Sequence, residues 1–270
     1  MTRKQLIQQI KKKKSYLCVG LDTDIAKIPP HLLKYKNPIL EFNKQIIDAT
    51  HDVCVAYKPN IAFYEMYGAK GWETLEKTVN HIPDNIFKIA DAKRGDIGNT
   101  SAMYAKAFFE TMDFDSITIA PYMGEDSIKP FLAFKDKWVI ILGLTSNVGA
   151  QDFQFLKSNK KPLFQSVIEK CMQYGTPENT MFVIGATKEK YFGSIREFCP
   201  DNFFLVPGVG AQGGDLEQLS KYGMNKDCGL LVNATRSIIY ASNGKDFAEK
   251  AREEAIRMQH EMSILLKNNK

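Results

Sequence analysis

The sequence predicts an α/β chain folded as a single (β/α)8 TIM barrel over residues 1–270, with an extra helix at its N-terminus. Three observations predict it. Eight short apolar runs recur along the 270 residues, and most are separated by segments long enough for a crossover helix. The runs are apolar at nearly every position, as strands buried on both faces must be. A doubly wound open sheet is the rival. It calls for a glycine-rich dinucleotide loop after the first strand, and here that strand ends in GLDTD.

The elements follow in order. MTRKQLIQQIKKKK precedes the first strand as a helix, and Lys11 to Lys14 read as its solvated end, where cations suit the helix dipole. YLCVGLD from Tyr16 is the first strand, and VCVAYKPN from Val53 the second. Between them ILEFNKQIIDAT is helical, with Ile39, Phe42, Ile46 and Ile47 on one side and Glu41, Lys44 and Asp48 on the other. IFKIADAK from Ile86 and SITIAPY from Ser116 flank NTSAMYAKAFFE, a helix for which Asn99 is the N-cap candidate. WVIILGL from Trp138 leads into TSNVGAQDFQFLKSNKK, a long connection without an expected element and so a lid candidate. TMFVIGAT from Thr180, FFLVPGVG from Phe203 and GLLVNAT from Gly229 complete the strands, and DFAEKAREEAIRMQHEMSILL closes the chain as a long helix. No linker or break in composition marks a second domain.

Hydrophobic residues make up 44% and charged residues 25%, the profile of a packed globular chain rather than a disordered one. The net charge of +5 is concentrated near the two ends of the chain, with no basic stripe interleaved with aromatic residues. That pattern speaks against a nucleic-acid partner. Five scattered cysteines lack a C-x-x-C pair or a histidine at ligand spacing, so they read as reduced core residues of a cytoplasmic protein, and no metal is expected. The N-terminus has no apolar core of a signal peptide, and no stretch approaches the roughly 18 apolar residues of a membrane span. Neither secretion nor a membrane is expected.

In such a barrel the chemistry sits where the strands end. Those ends are polar: Asp22, Lys58, Asp91 with Lys93, Thr145 with Ser146, and Asn233 with Thr235 and Arg236. DAKRGD, from Asp91 to Asp96, concentrates the charge. Alternation along a strand puts Asp91 and Lys93 on one side. A carboxylate and an ammonium facing inward each cost several kcal/mol of desolvation, roughly, unless they pair or bind something. Lys58 on the neighbouring strand can join them, which keeps Asp91 ionised and both lysines protonated. The glycines of PGVGAQGGD, with Arg236 at the end of the next strand, form a phosphate-site candidate at the place where this fold repeatedly puts one.

With GLD early and PGVGAQGGD late, the D-x-K-x-x-D of Asp91, Lys93 and Asp96 resembles the orotidine 5′-phosphate decarboxylase family, in its longer bacterial-type branch. The likeness runs in order from about Tyr16 to Arg236. It implies cofactor-free decarboxylation of orotidine 5′-monophosphate to uridine 5′-monophosphate in pyrimidine biosynthesis. By the same resemblance Lys58, Asp91, Lys93 and Asp96 form the catalytic array, with Asp96 supplied by the second subunit of a homodimer. Lys93 would protonate C6, and Asp91 would adjoin the departing carboxylate. Asp22 and Lys58 would hold ribose hydroxyls, Ser146 the pyrimidine amide edge, and Gln212 with Arg236 the phosphate. Pro207 joins the substrate-binding set, and Ile97 and Thr100 would border the neighbour's site.

Three other readings remain. A metal-dependent sugar-phosphate decarboxylase of the same superfamily needs a carboxylate after the second strand to hold Mg²⁺, where Lys58 would repel the cation. A Schiff-base aldolase would use Lys93, which flanking carboxylates keep protonated. A catalytically silent phosphate-binding protein would use the charges only as an ion-pair network.

Overall fold

The computed structural model describes residues 1–209 and 215–269. Eight strands form the barrel: β1 (Leu17–Gly20), β2 (Ala56–Lys58), β3 (Phe87–Arg94) and β4 (Ser116–Ile119), then β5 (Trp138–Leu144), β6 (Thr180–Ile184), β7 (Phe203–Pro207) and β8 (Leu230–Ala234). Each pairs in parallel with its neighbours in sequence, and the β1–β8 ladder, Leu17 opposite Val232, closes the ring. Every position of β1, β4, β6 and β8 is buried, which is why their apolar runs show no alternation.

Nine helices among the described residues matter for the packing. Four are α1 (Arg3–Lys13), α2 (Pro38–Thr50), α3 (Ala69–His81) and α4 (Gly98–Lys106). The others are α5 (Glu125–Leu132), α6 (Leu163–Cys171), α7 (Glu189–Phe198), α8 (Leu216–Gly223) and α9 (Phe247–Asn268). Helix α1 is the extra N-terminal element. It begins in a capping box between Thr2 and Gln5, ends at a left-handed Lys14, and buries Leu6 and Ile10. Helix α2 begins at Asn37, whose side chain accepts from the Leu40 N–H, and buries Ile39, Phe42, Ile46 and Ile47 as its periodicity requires. Helix α9 packs against α2, with Phe247 stacked on Phe42 at 5.1 Å between ring centroids, and buries Ala251 and Ala255. No helix among the described residues is long and apolar enough to cross a membrane.

Two expectations change. Asn99 does not cap α4: the helix begins at Gly98, two residues earlier than that cap implies, behind an extended Ile97 that lends no side-chain cap. Gly98 takes φ 47°, a turn glycine tolerates and asparagine visits at a cost, so the cap position shifts upstream. The connection after β5 has structure of its own, a helical turn at Ala150–Phe153 and a two-stranded hairpin pairing Ser158 with Lys161.

Two polar residues inside the packing gather several partners each. Asn43, on the apolar face of α2, accepts from the Thr23 hydroxyl at 2.6 Å and donates to Tyr64 and Thr78 at 3.0 and 3.1 Å. Asn43→Ala would leave those three hydroxyls with a lost partner in a dry place, so a loss of about 1–3 kcal/mol is expected. The denaturant midpoint should fall with its slope unchanged; an unmoved midpoint would mean that the hydroxyls re-pair without the amide. At the N-terminal end of the strands, Arg196 donates to five carbonyls, those of Cys199, Pro200, Asn202, Gly223 and Gly229. Its guanidinium lies 3.7 Å from the Phe204 ring centroid. Burial pushes its pKa down to about 10, which still leaves it charged at neutral pH. All five cysteines are free and buried.

Candidate active site

Three strands bring the charged residues together. Lys58, the last residue of β2, is buried and donates to Asp91 Oδ2 at 2.8 Å, while Asp22 Oδ1 lies 3.9 Å from the same ammonium. Lys93 Nζ donates to Asp91 Oδ1 at 2.5 Å, and the Thr118 hydroxyl on β4 donates to that oxygen at 3.1 Å. Asp91 thus accepts three hydrogen bonds, two of them from cations.

The meeting of Asp91 and Lys93 comes about differently from simple strand alternation. The β3–β4 ladder slips between Ala90 and Arg94, and Lys93 sits in this bulge with φ 47°. Its N–H donates to Thr118 Oγ1 at 2.9 Å, so one hydroxyl holds both the Lys93 backbone and the Asp91 carboxylate. Regular alternation does not describe that arrangement, because the left-handed residue interrupts the pleat within β3.

Charge states follow from the surroundings. Burial would raise Asp91, but Lys58 and Lys93 outweigh it and hold the carboxyl well below the usual range. Burial would lower Lys58, but Asp22 and Asp91 reverse this and raise it above an ordinary lysine. Asp22 goes the other way: burial dominates over Lys58 and pushes its carboxyl up. Its buried Oδ1 has no hydrogen-bond partner. Around neutral pH the Lys58–Asp91 pair is therefore a fixed field, and Asp22 brings it an acceptor with capacity to spare.

Asp22, Lys58 and Asp91 open on a cavity of about 400 Å³ that Pro207, Thr235 and Arg236 also line, with Lys93 reaching Asp91 from outside that lining. Arg236 is exposed, and its guanidinium meets no carboxylate among the described residues. The Thr235 side chain lies over Gly20, where an added Cβ would come within 1.9 Å of Thr235 Oγ1, which accounts for the glycine of GLD. Ser146, half-buried just beyond β5, packs against Gly185, whose Cβ would stand 2.7 Å from that of Ser146. Gln212 lies outside the described residues, as does most of the glycine-rich loop.

Asp96, Ile97 and Thr100 are not gathered into this cavity within one chain. Asp96 Oδ1 accepts from the Ile97 N–H at 2.7 Å, and Ile97 is 56% exposed. Thr118 and Tyr240 belong to the site and were not foreseen, whereas Asn233 was already among the polar strand ends. Asn233 lines the cavity, and the Tyr240 hydroxyl donates to the Asp22 carbonyl at 3.1 Å. A signal existed for Thr118, a polar residue inside an otherwise apolar strand run. No group of three or more His, Cys, Asp or Glu among the described residues is placed to hold a metal ion.

Fold and site together define a class, that of (β/α)8-barrel enzymes with an ionised array where the strands end. A family model described as "Orotidine 5'-phosphate decarboxylase / HUMPS family" matches residues 15–251, and the chain belongs to this family. It is 61% identical over 269 residues to an orotidine 5′-phosphate decarboxylase of Flavobacterium johnsoniae, covering 98% of each chain. Among solved structures it resembles the OMP decarboxylase of Leishmania donovani, with a TM-score of 0.81, 34% identity, and 96% and 100% of the two chains covered. It also resembles the UMP synthase of that organism, with a TM-score of 0.83 and 36% identity over 94% of this chain, but spans only 56% of that protein's length.

Proposed function

We propose that the chain, as one barrel domain, decarboxylates orotidine 5′-monophosphate to uridine 5′-monophosphate in pyrimidine biosynthesis. It does so in the cytoplasm, without a cofactor. The observation that carries the reading is Asp91 held ionised between Lys58 and Lys93 beside a cavity that ends at Arg236.

Loss of CO₂ from C6 leaves an electron pair in the plane of the ring, where the π-system cannot accept it. Fixed charge must supply the stabilisation, and for so slow an uncatalysed reaction the demand lies toward the upper part of the roughly 8–23 kcal/mol range. The Lys93 ammonium stands beside the developing carbanion and passes it a proton as the C–C bond breaks. Lys93 is left as the neutral amine and, being half exposed, reloads from solvent. Asp91 adjoins the departing carboxylate. Asp22, with its unspent acceptor, and Lys58 hold ribose hydroxyls, and Ser146 reads the amide edge of the pyrimidine. Pro207 joins the substrate-binding set, and Gln212 with Arg236 forms the phosphate end, whose remote binding energy is spent on the transition state.

The active unit is a homodimer in which Asp96 completes the partner's array, and Ile97 and Thr100 border that second site. The exposure of Ile97 and the position of Asp96 away from its own cavity support this.

A metal-dependent sugar-phosphate reaction is the second reading that the family name admits. Lys58 argues against it, because a buried ammonium in the array repels Mg²⁺. Turnover of orotidine 5′-monophosphate, followed by its loss of ultraviolet absorbance, is expected to survive exhaustive EDTA treatment unchanged. A treated enzyme that regains its rate only with Mg²⁺ would overturn the cofactor-free reading.

A further inference from the structure

Lys93 occupies a conformation that lysine avoids, and the surroundings have to hold it there. A left-handed φ costs a non-glycine residue about 1–2 kcal/mol. Among the described residues the guanidinium of the next residue, Arg94, makes no ion pair or hydrogen bond with the array. Its guanidinium lies 5.5 Å from the ring centroids of both Tyr104 and Phe108, and Nη1 donates at 3.0 Å to the carbonyl of Ala92, immediately before Lys93. Nη2 pairs with the Glu65 carboxylate. Glu65 ends the helical turn Ala62–Glu65 that follows β2, the strand that delivers Lys58. A single clasp therefore joins the chain just after Lys58 to the chain just after Lys93.

We propose that Arg94 and Glu65 are positioning residues that hold the bulge of β3 and with it the placing of Lys93 relative to Asp91 and Lys58. This rests on the decarboxylation reading. The fork geometry matters: one planar guanidinium reaches a carbonyl and a carboxylate at once while stacked on two rings, and an ammonium can do only part of that. Loosening the clasp lets Lys93 relax toward an ordinary strand conformation, which carries its ammonium away from the reacting carbon. Substrate affinity stays, because the phosphate and ribose contacts lie on other strands.

Arg94→Ala is expected to lower kcat by about 10- to 100-fold, the range that a displacement on the order of 1 Å produces, while KM stays within about twofold. Added guanidinium ion should restore part of the loss, Arg94→Lys should stay slow, and Glu65→Gln should show the same split more mildly. The clasp has a readout that needs no turnover. Hydrogen exchange at the Lys93 amide, which donates to Thr118, should quicken in Arg94→Ala relative to that of Ile117 on the adjoining strand. If wild type fails to turn over the substrate, the decarboxylation reading falls while the exchange result still judges the clasp. An unchanged kcat, a rate loss matched by the fall in folded fraction with no guanidinium rescue, or unaltered Lys93 exchange would each overturn it.

Discussion

Asp91→Ala and Asp96→Ala chains, each expected to lose at least about two orders of magnitude in kcat alone, should regain about one quarter of wild-type activity once mixed and allowed to exchange subunits. The reason is geometric. Asp91 sits within its own array, 2.8 Å from Lys58, whereas Asp96 lies beyond the end of β3, outside the cavity that Asp91 lines, and accepts from the Ile97 N–H. Random pairing makes half the dimers mixed. Each mixed dimer has one site with both aspartates missing and one with both present. Recovery is read as rate against time after mixing, with exchange verified by mass-tagged chains. No recovery after verified exchange, with both variants folded, would show that Asp96 serves its own chain.

Arg236→Ala should cost about 3 kcal/mol of transition-state binding, or somewhat over 100-fold in kcat/KM, for the phosphorylated substrate. The same change should leave a substrate without phosphate almost unaffected. The side chain is exposed and ion-paired to nothing among the described residues, so its removal strands no buried carboxylate and should leave thermal stability in place. Equal losses on both substrates would make Arg236 a structural residue.

The barrel was legible because parallel strands buried on both faces must be apolar throughout, and runs such as WVIILGL have no other reason to be so continuous. The array was legible because four charges at the end of a buried strand are expensive unless used, and Lys58 and Asp91 pair as that cost demands. What escaped was set by groups far apart in sequence. Nothing near Arg196 tells that five carbonyls, two of them in the segment after Tyr222, converge on it. Nor does DAKRGD itself reveal that Lys93 turns left-handed, since the hydroxyl holding it comes from Thr118 on the next strand. Asn99 misled because a good capping residue stood two positions too late for the path the backbone takes through Ile97 and Gly98.

The burial of every cysteine has a practical side. Burial raises the Cys54 thiol to about 11 and those of Cys171, Cys199 and Cys228 to about 12, and it raises Cys18 as well, so at neutral pH none of them exists as the nucleophilic thiolate. Towards a maleimide dye the native chain is therefore expected to react only slowly. One cysteine placed at Val148, 90% exposed on the connection after β5, would then take up the fluorophore first, and its emission would report what that loop does as nucleotide arrives, against a low background.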